Sequence, residues 1–195
     1  DGKKTEPITK GNFDYIEQVG MDIKKGIVYF IASPDNFTQR YLYSANLFGN
    51  GEVKRLSPAN ESGQHRYNIS PNGRWAVHSF SNAATPPAID MVSLPNHKSV
   101  RMIEDNAQAK AEYQALGLKP KEFVKVRSGE LELDAWMIKP ANFDASKKYP
   151  VIIDVYGEPA NATVQDVWGG GDLWHQYLAN QGYIVVSIEN RGARA

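Results

Sequence analysis

The chain has 195 residues, 42% hydrophobic and 23% charged, a balance that fits one or two soluble globular domains and excludes a disordered chain. Its 22 lysines and arginines are matched by 22 aspartates and glutamates, and no five-residue block of one sign occurs, so nucleic acid is not an expected partner. Cysteine is absent, which excludes disulfides and thiolate chemistry without fixing a compartment, and no window approaches the roughly 18 consecutive apolar residues of a spanning helix.

The opening residues, DGKKTEPITK, hold no initiator methionine, apolar signal core or cleavage site, so any export signal is expected outside this chain. From there to about residue 104 the chain reads as short strands between turn residues. The clearest are Gly26 to Ser33, Arg40 to Leu47, Arg74 to Ser81 and Ala88 to Leu94. Turn glycines Gly26 and Gly73, about 47 positions apart, each precede an aromatic and β-branched run, a spacing that suggests repeated four-stranded propeller blades. Asn72-Gly73 predicts a two-residue hairpin loop, since both residues tolerate positive φ. A generic antiparallel sandwich is the alternative.

Residues 105–120 read as a helical connector, with Asp105 or Asn106 as amino-terminal cap and Gly117 as left-handed stop. Two alternating strands around Ser128-Gly129 follow, closed by Pro140. After Lys148 the pattern changes. Pro150 to Tyr156 is a near-continuous apolar strand, Asp172 to Gly182 a capped helix, and Tyr183 to Glu189 a second apolar strand, which together predict parallel strands buried on both faces. The expected division is therefore 1–104, 105–120 and 121–195.

The segments ITKG (Ile8 to Gly11), IEDN (Ile103 to Asn106), SKKYP (Ser146 to Pro150), YPVIIDVYGEP (Tyr149 to Pro159) and NQGYIVVSIENRG (Asn180 to Gly192) resemble the dipeptidyl peptidase IV branch of the prolyl oligopeptidase family of serine peptidases. The resemblance implies a mixed fold: the last blades of a β-propeller, then the N-terminal part of an α/β-hydrolase domain. It also implies that the chain is a piece of an exopeptidase releasing di- or tripeptides from peptide amino ends, preferentially after proline. The expected partner is a peptide substrate in a periplasmic, cell-surface or secreted setting, with no cofactor and no metal, and the resemblance leaves room for a homodimer of the full-length protein.

By the same resemblance, Tyr156 corresponds to the tyrosine that donates its hydroxyl to the oxyanion hole, held by the strand before it, Gly157 and Pro159. A phenol with an ordinary pKa of about 10 keeps its proton at neutral pH and can donate. Such a donor acts where acyl transfer builds charge on oxygen. The chain departs from the family pattern at Glu158, where a small residue or glycine is usual, and the turn is expected to direct that carboxylate to solvent.

A nucleophile elbow of the G-x-S-x-G type is missing, and Ser187 lies inside an apolar run without flanking glycines, so the catalytic serine, aspartate and histidine are expected beyond this chain. His65, His78, His97 and His175 read as satisfied or solvated side chains, and none has zinc-helix spacing to another. WGGGD (Trp168 to Asp172) lacks the lysine of a phosphate loop and reads as a loop entering a helix capped by Asp172, while Arg191 reads as structural. Alone, the segment should be inactive and poorly stable. Alternatives are a non-catalytic protein-binding scaffold, and an esterase or acylaminoacyl hydrolase of the same architecture.

Overall fold

A computed structural model describes residues 3, 5–49, 51–158, 161–169 and 172–193. The chain divides into two compact units, one taking in the chain up to Ser81 with Pro87–Asp105, the other Asn82–Pro86 with the chain from Asn106 onward.

In the first unit, β1 (Glu17–Asp22), β2 (Ile27–Ala32), β3 (Tyr41–Asn46) and β4 (Val53–Arg55) form one four-stranded meander. A second contains β5 (Gln64–Ile69), β6 (Trp75–Asn82), β7 (Thr85–Ser93) and β8 (Lys98–Glu104). The repeat seen in the sequence is the first hairpin of each sheet. Gly26 and Gly73 adopt φ 65° and 66°, and each donates its N–H to the carbonyl three residues back, Ile23 and Ser70. The Asn72-Gly73 turn is longer than the predicted two-residue loop. Ser70 N–H bonds Trp75 O at 2.8 Å, which leaves Pro71 to Arg74 in the loop. Only Gly73 goes left-handed; Asn72 instead accepts from Arg74 N–H and the Ser70 hydroxyl.

Side-chain alternation explains why β2 is central: Tyr29 and Ile31 join one apolar cluster with Leu42, Ala76 and Val92, while Val28, Phe30 and Ala32 join another with Tyr41 and Tyr43. Phe30 is fully buried beside Tyr43 and Tyr15, with ring centroids 6.0 and 4.9 Å away. Burial of a side chain this size is worth about 1.5–3 kcal/mol.

The second unit contains α1 (Ala107–Ala115), β9 (Glu122–Ser128), β10 (Leu131–Ile138), β11 (Val151–Asp154), α2 (Asp172–Asn180) and β12 (Ile184–Ile188), with sheet order β11-β12-β10-β9. The two-residue hairpin loop lies here: Ser128 pairs with Leu131 across Gly129, whose φ is 62°. Gly117 ends α1 at φ 61° as expected. Asn106 stands at the N-cap position but is itself left-handed and makes no side-chain cap bond.

β11 and β12 pair in parallel from Val151↔Ile184 to Asp154↔Ser187, and β12 pairs antiparallel with β10. Trp136, Ile138, Val164, Ala179 and Val185 make the core between this sheet and α2. The expectation that both parallel strands are buried holds for Val185 and Ser187 and fails for β11. Val151, Ile153 and Val155 are 54%, 61% and 64% exposed. β11 is an edge strand bonded only to β12, so its apolar side chains lack a second neighbour among the described residues.

Candidate functional site

Tyr156 lies two residues beyond the last ladder pair of β11, in a segment without regular structure. Its ring is 50% exposed, so the phenol is open to solvent and not sealed beneath the sheet. Gly157 follows at φ 79°, a left-handed turn that reverses the chain without a Cβ penalty, and a Cβ there would meet no atom within 4 Å. Tyr156 donates its hydroxyl hydrogen to Glu158 Oε2 at 3.2 Å. Glu158 is exposed, as its place in the turn suggested, yet it remains within reach of the phenol. Pro159, the expected stiffener of this exit, lies outside the described residues, as do Gly170 and Gly171 of WGGGD.

The strand that leads to Tyr156 is supported from α2. His175 packs against Trp136 with ring centroids 5.1 Å apart, and its Nε2 lies 3.6 Å from Asp154 Oδ2 at the end of β11. Asp172 is the first residue of α2 and pairs with Lys121, the two side chains only 9% and 7% exposed. Lys121 also stands over the Trp136 ring at 4.9 Å. On the far side of the sheet's end, Glu189 Oε2 accepts the N–H groups of Thr163 and Val164 at 2.7 and 3.0 Å, fixing the segment that packs on Trp136. Glu189 is thus a charged residue with organising contacts at this end of the sheet. Ser187 is fully buried in β12, 3.4 Å from the Thr163 hydroxyl, a position closed to a substrate.

The remaining histidines meet in the first unit. His65 and His78 are 1% and 4% exposed, and His65 Nδ1 lies 2.9 Å from His78 Nε2. His65 Nε2 faces the Glu61 carbonyl at 2.9 Å, and His78 Nδ1 faces Asp90 Oδ1 at 2.9 Å. Tyr67 bonds His97 Nε2 at 2.7 Å and stacks on His78 at 4.7 Å. Burial is the main force lowering His65, to about 3, and it also lowers His78 and His97, with the Asp90 hydrogen bond acting against it at His78. Glu61, His65 and His78 offer ligand atoms within 4.8 Å of one another, a proximity that spacing along the chain did not reveal. The signal was nonetheless present. β5 and β6 pair symmetrically about the Asn72–Gly73 bond, which puts His65 opposite Phe80 and His78 opposite Tyr67, diagonal neighbours on one face.

Comparison with known proteins supplies the frame for these positions. Residues 1–87 match the family model described as the dipeptidyl peptidase IV (DPP IV) N-terminal region. The chain is 30% identical over 192 residues to dipeptidyl-aminopeptidase B of Aspergillus niger, covering 96% of this chain and 21% of that protein. It is 28% identical over 195 residues to a "Probable dipeptidyl-aminopeptidase B" of Ajellomyces capsulatus, covering 98% of this chain and 21% of the relative. The crystal structure of Porphyromonas gingivalis dipeptidyl peptidase 4 superposes with a TM-score of 0.87 at 32% identity, over 96% of this chain and 26% of that one. The chain thus spans about a fifth of the length of the curated relatives it matches. The two four-stranded meanders are β-propeller blades, as the expected fold class has it.

Proposed function

We propose that the chain, similar to dipeptidyl peptidase IV proteins along nearly its whole length, belongs to that family of serine peptidases and forms the part of an exopeptidase that supplies an oxyanion donor, Tyr156. In this reading the complete enzyme removes short peptides from free amino ends, with proline preferred as the residue before the cut. Its nucleophile, histidine and acid come from polypeptide outside the 195 residues.

The observation that carries the reading is the exposure of Tyr156 just past a parallel strand pair. Attack of a serine on the scissile carbonyl turns its oxygen into an anion. A phenol aimed at that atom strengthens its hydrogen bond as charge builds, so its effect falls on the transition state more than on bound substrate. The reach of the phenol, together with the absence of any competing nucleophile elbow in the sequence, supports this division of labour.

The working domain division remains propeller to residue 104, connector over 105–120 and hydrolase from 121, in a periplasmic, cell-surface or secreted enzyme that needs neither cofactor nor metal. The test is an alanyl-prolyl reporter assay on the 195-residue chain and on the longer protein containing it. Turnover by the long form alone is expected; turnover by the short chain would place a nucleophile within these residues and overturn the assignment.

A further inference from the structure

The buried histidines of the second blade pose a question of proton count. Three contacts of 2.9 Å run in line from the Glu61 carbonyl through His65 and His78 to Asp90. The two imidazole planes differ by 11° with centroids 5.1 Å apart, so the facing nitrogens meet edge to edge along a nearly shared plane. That is the geometry of an N–H···N bond; two lone pairs converging on a metal ion would not point at each other.

Both ends of the line are acceptors, a peptide carbonyl and a carboxylate, and each neutral imidazole brings one N–H. Two neutral histidines therefore fill two of the three contacts and leave a pair of lone-pair-bearing atoms face to face. The His65 and His78 rings are buried, 1% and 4% exposed.

We propose that His65, His78 and Asp90 hold three protons between them in the folded blade, one more than two neutral imidazoles and an ionised carboxylate carry, forming a relay that loses this proton and one hydrogen bond in alkaline solution. His65 Nε2–H then donates to the Glu61 carbonyl and His78 Nε2–H donates to His65 Nδ1. The third proton lies between Asp90 Oδ1 and His78 Nδ1.

Charge decides where that proton sits. With it the relay has no net charge; without it the relay is a partly buried anion, which desolvation disfavours. The surrounding groups are mixed. The Glu61 carboxylate favours retention, Arg55 opposes it from above the Tyr41 ring at 3.6 Å, and His97 faces His78 edge-on at 4.8 Å. Tyr41, Tyr67 and Phe80 pack around the His65 ring. A cavity of about 130 Å³ lined by Glu61, His78, Asp90 and His97 opens beside the carboxylate end and lets the proton exchange.

The sign of the effect on stability follows from linkage. Above a pH of about 6.5 the unfolded chain has neutral histidines and an ionised Asp90, hence two protons on these groups against three when folded. Folding takes up a proton. The unfolding equilibrium constant therefore rises as pH increases, by up to about tenfold per pH unit, until the folded relay is itself deprotonated.

Two measurements test the proposal on the full-length protein. Nitrogen NMR of histidine-labelled protein at pH 7.5 should find hydrogen on Nε2 of both His65 and His78; a bare Nε2 on His78 would overturn it. Urea unfolding from pH 7 to 9 should show the wild type losing stability relative to Asp90→Asn. The asparagine amide can donate to His78 Nδ1 and complete the line without titrating. A wild-type-to-variant difference that is constant with pH would also overturn the proposal. Should Asp90→Asn fail to fold, the wild-type series decides: a stability that does not fall between pH 7 and 9 would overturn the proposal.

Discussion

Tyr156 donates its hydroxyl hydrogen to Glu158 Oε2 across 3.2 Å, the two residues separated by a glycine at φ 79°. A phenol has one hydrogen to give, so in the proposed role the carboxylate and a developing oxyanion would compete for it. The contact is exposed and its net value small, about 0.5–1.5 kcal/mol. In the full-length protein, Glu158→Gly is expected to raise kcat roughly two- to tenfold with little change in KM. Steady-state kinetics on a prolyl dipeptide reporter measure this; an unchanged or lower kcat would mean that Glu158 does not restrain the donor.

The ion pair under α2 should matter more for stability than any surface pair. Lys121 and Asp172 are 7% and 9% exposed, so removing one charge leaves the other without compensation. Asp172→Asn is expected to cost about 3–5 kcal/mol, and replacing both partners by apolar residues to recover most of it. Urea unfolding followed by tryptophan fluorescence reads both. A loss below about 1 kcal/mol in the single variant would place this pair among ordinary surface contacts.

Glycine substitutions should separate backbone strain from crowding. Gly73 and Gly117 share nearly the same φ, 66° and 61°, so alanine at either costs about 1–2 kcal/mol of left-handed strain. A Cβ at Gly73 would also lie 2.7 Å from Asp22 Cβ and 3.0 Å from its backbone, whereas Gly117 has open space. Gly73→Ala is therefore the more damaging of the two, by chemical denaturation. Equal losses would show that the Asp22 turn yields without cost.

Acid should loosen the same blade that alkali does. Burial lowers His65 to about 3 and also lowers His97, so both folded pKa values lie below the unfolded value near 6.5. The unfolded chain then binds more protons than the folded one as pH falls below about 6.5, and stability declines from there toward pH 3. His65→Asn should flatten part of that decline. A wild-type stability that stays constant from pH 6.5 to 4.5 would contradict the assignment.

The strands most legible in the sequence were those with aromatic or β-branched runs facing two buried clusters, β2 above all, where Tyr29 and Phe30 announce opposite faces. β4 and β8 gave no such signal because β4 has only three residues and β8 is exposed along its whole length. β11 misled in the other direction. Its valines and isoleucines read as doubly buried, although it is an edge strand whose apolar surface has no second neighbour among the described residues. Tyr156 is proposed through the resemblance carried by DVYGEP, since a tyrosine at a strand end has no periodic signature. The histidine relay was hidden for a different reason. It depends on hairpin register, and the partner that sets its proton count, Asp90, comes from a third strand.

The most direct test is Tyr156→Phe in the full-length protein, which removes one oxygen and leaves the ring. Loss of an oxyanion donor predicts a fall in kcat of about a hundred- to a thousandfold with KM changed much less. A variant that cleaves the prolyl reporter at the wild-type kcat would remove Tyr156 from the chemistry.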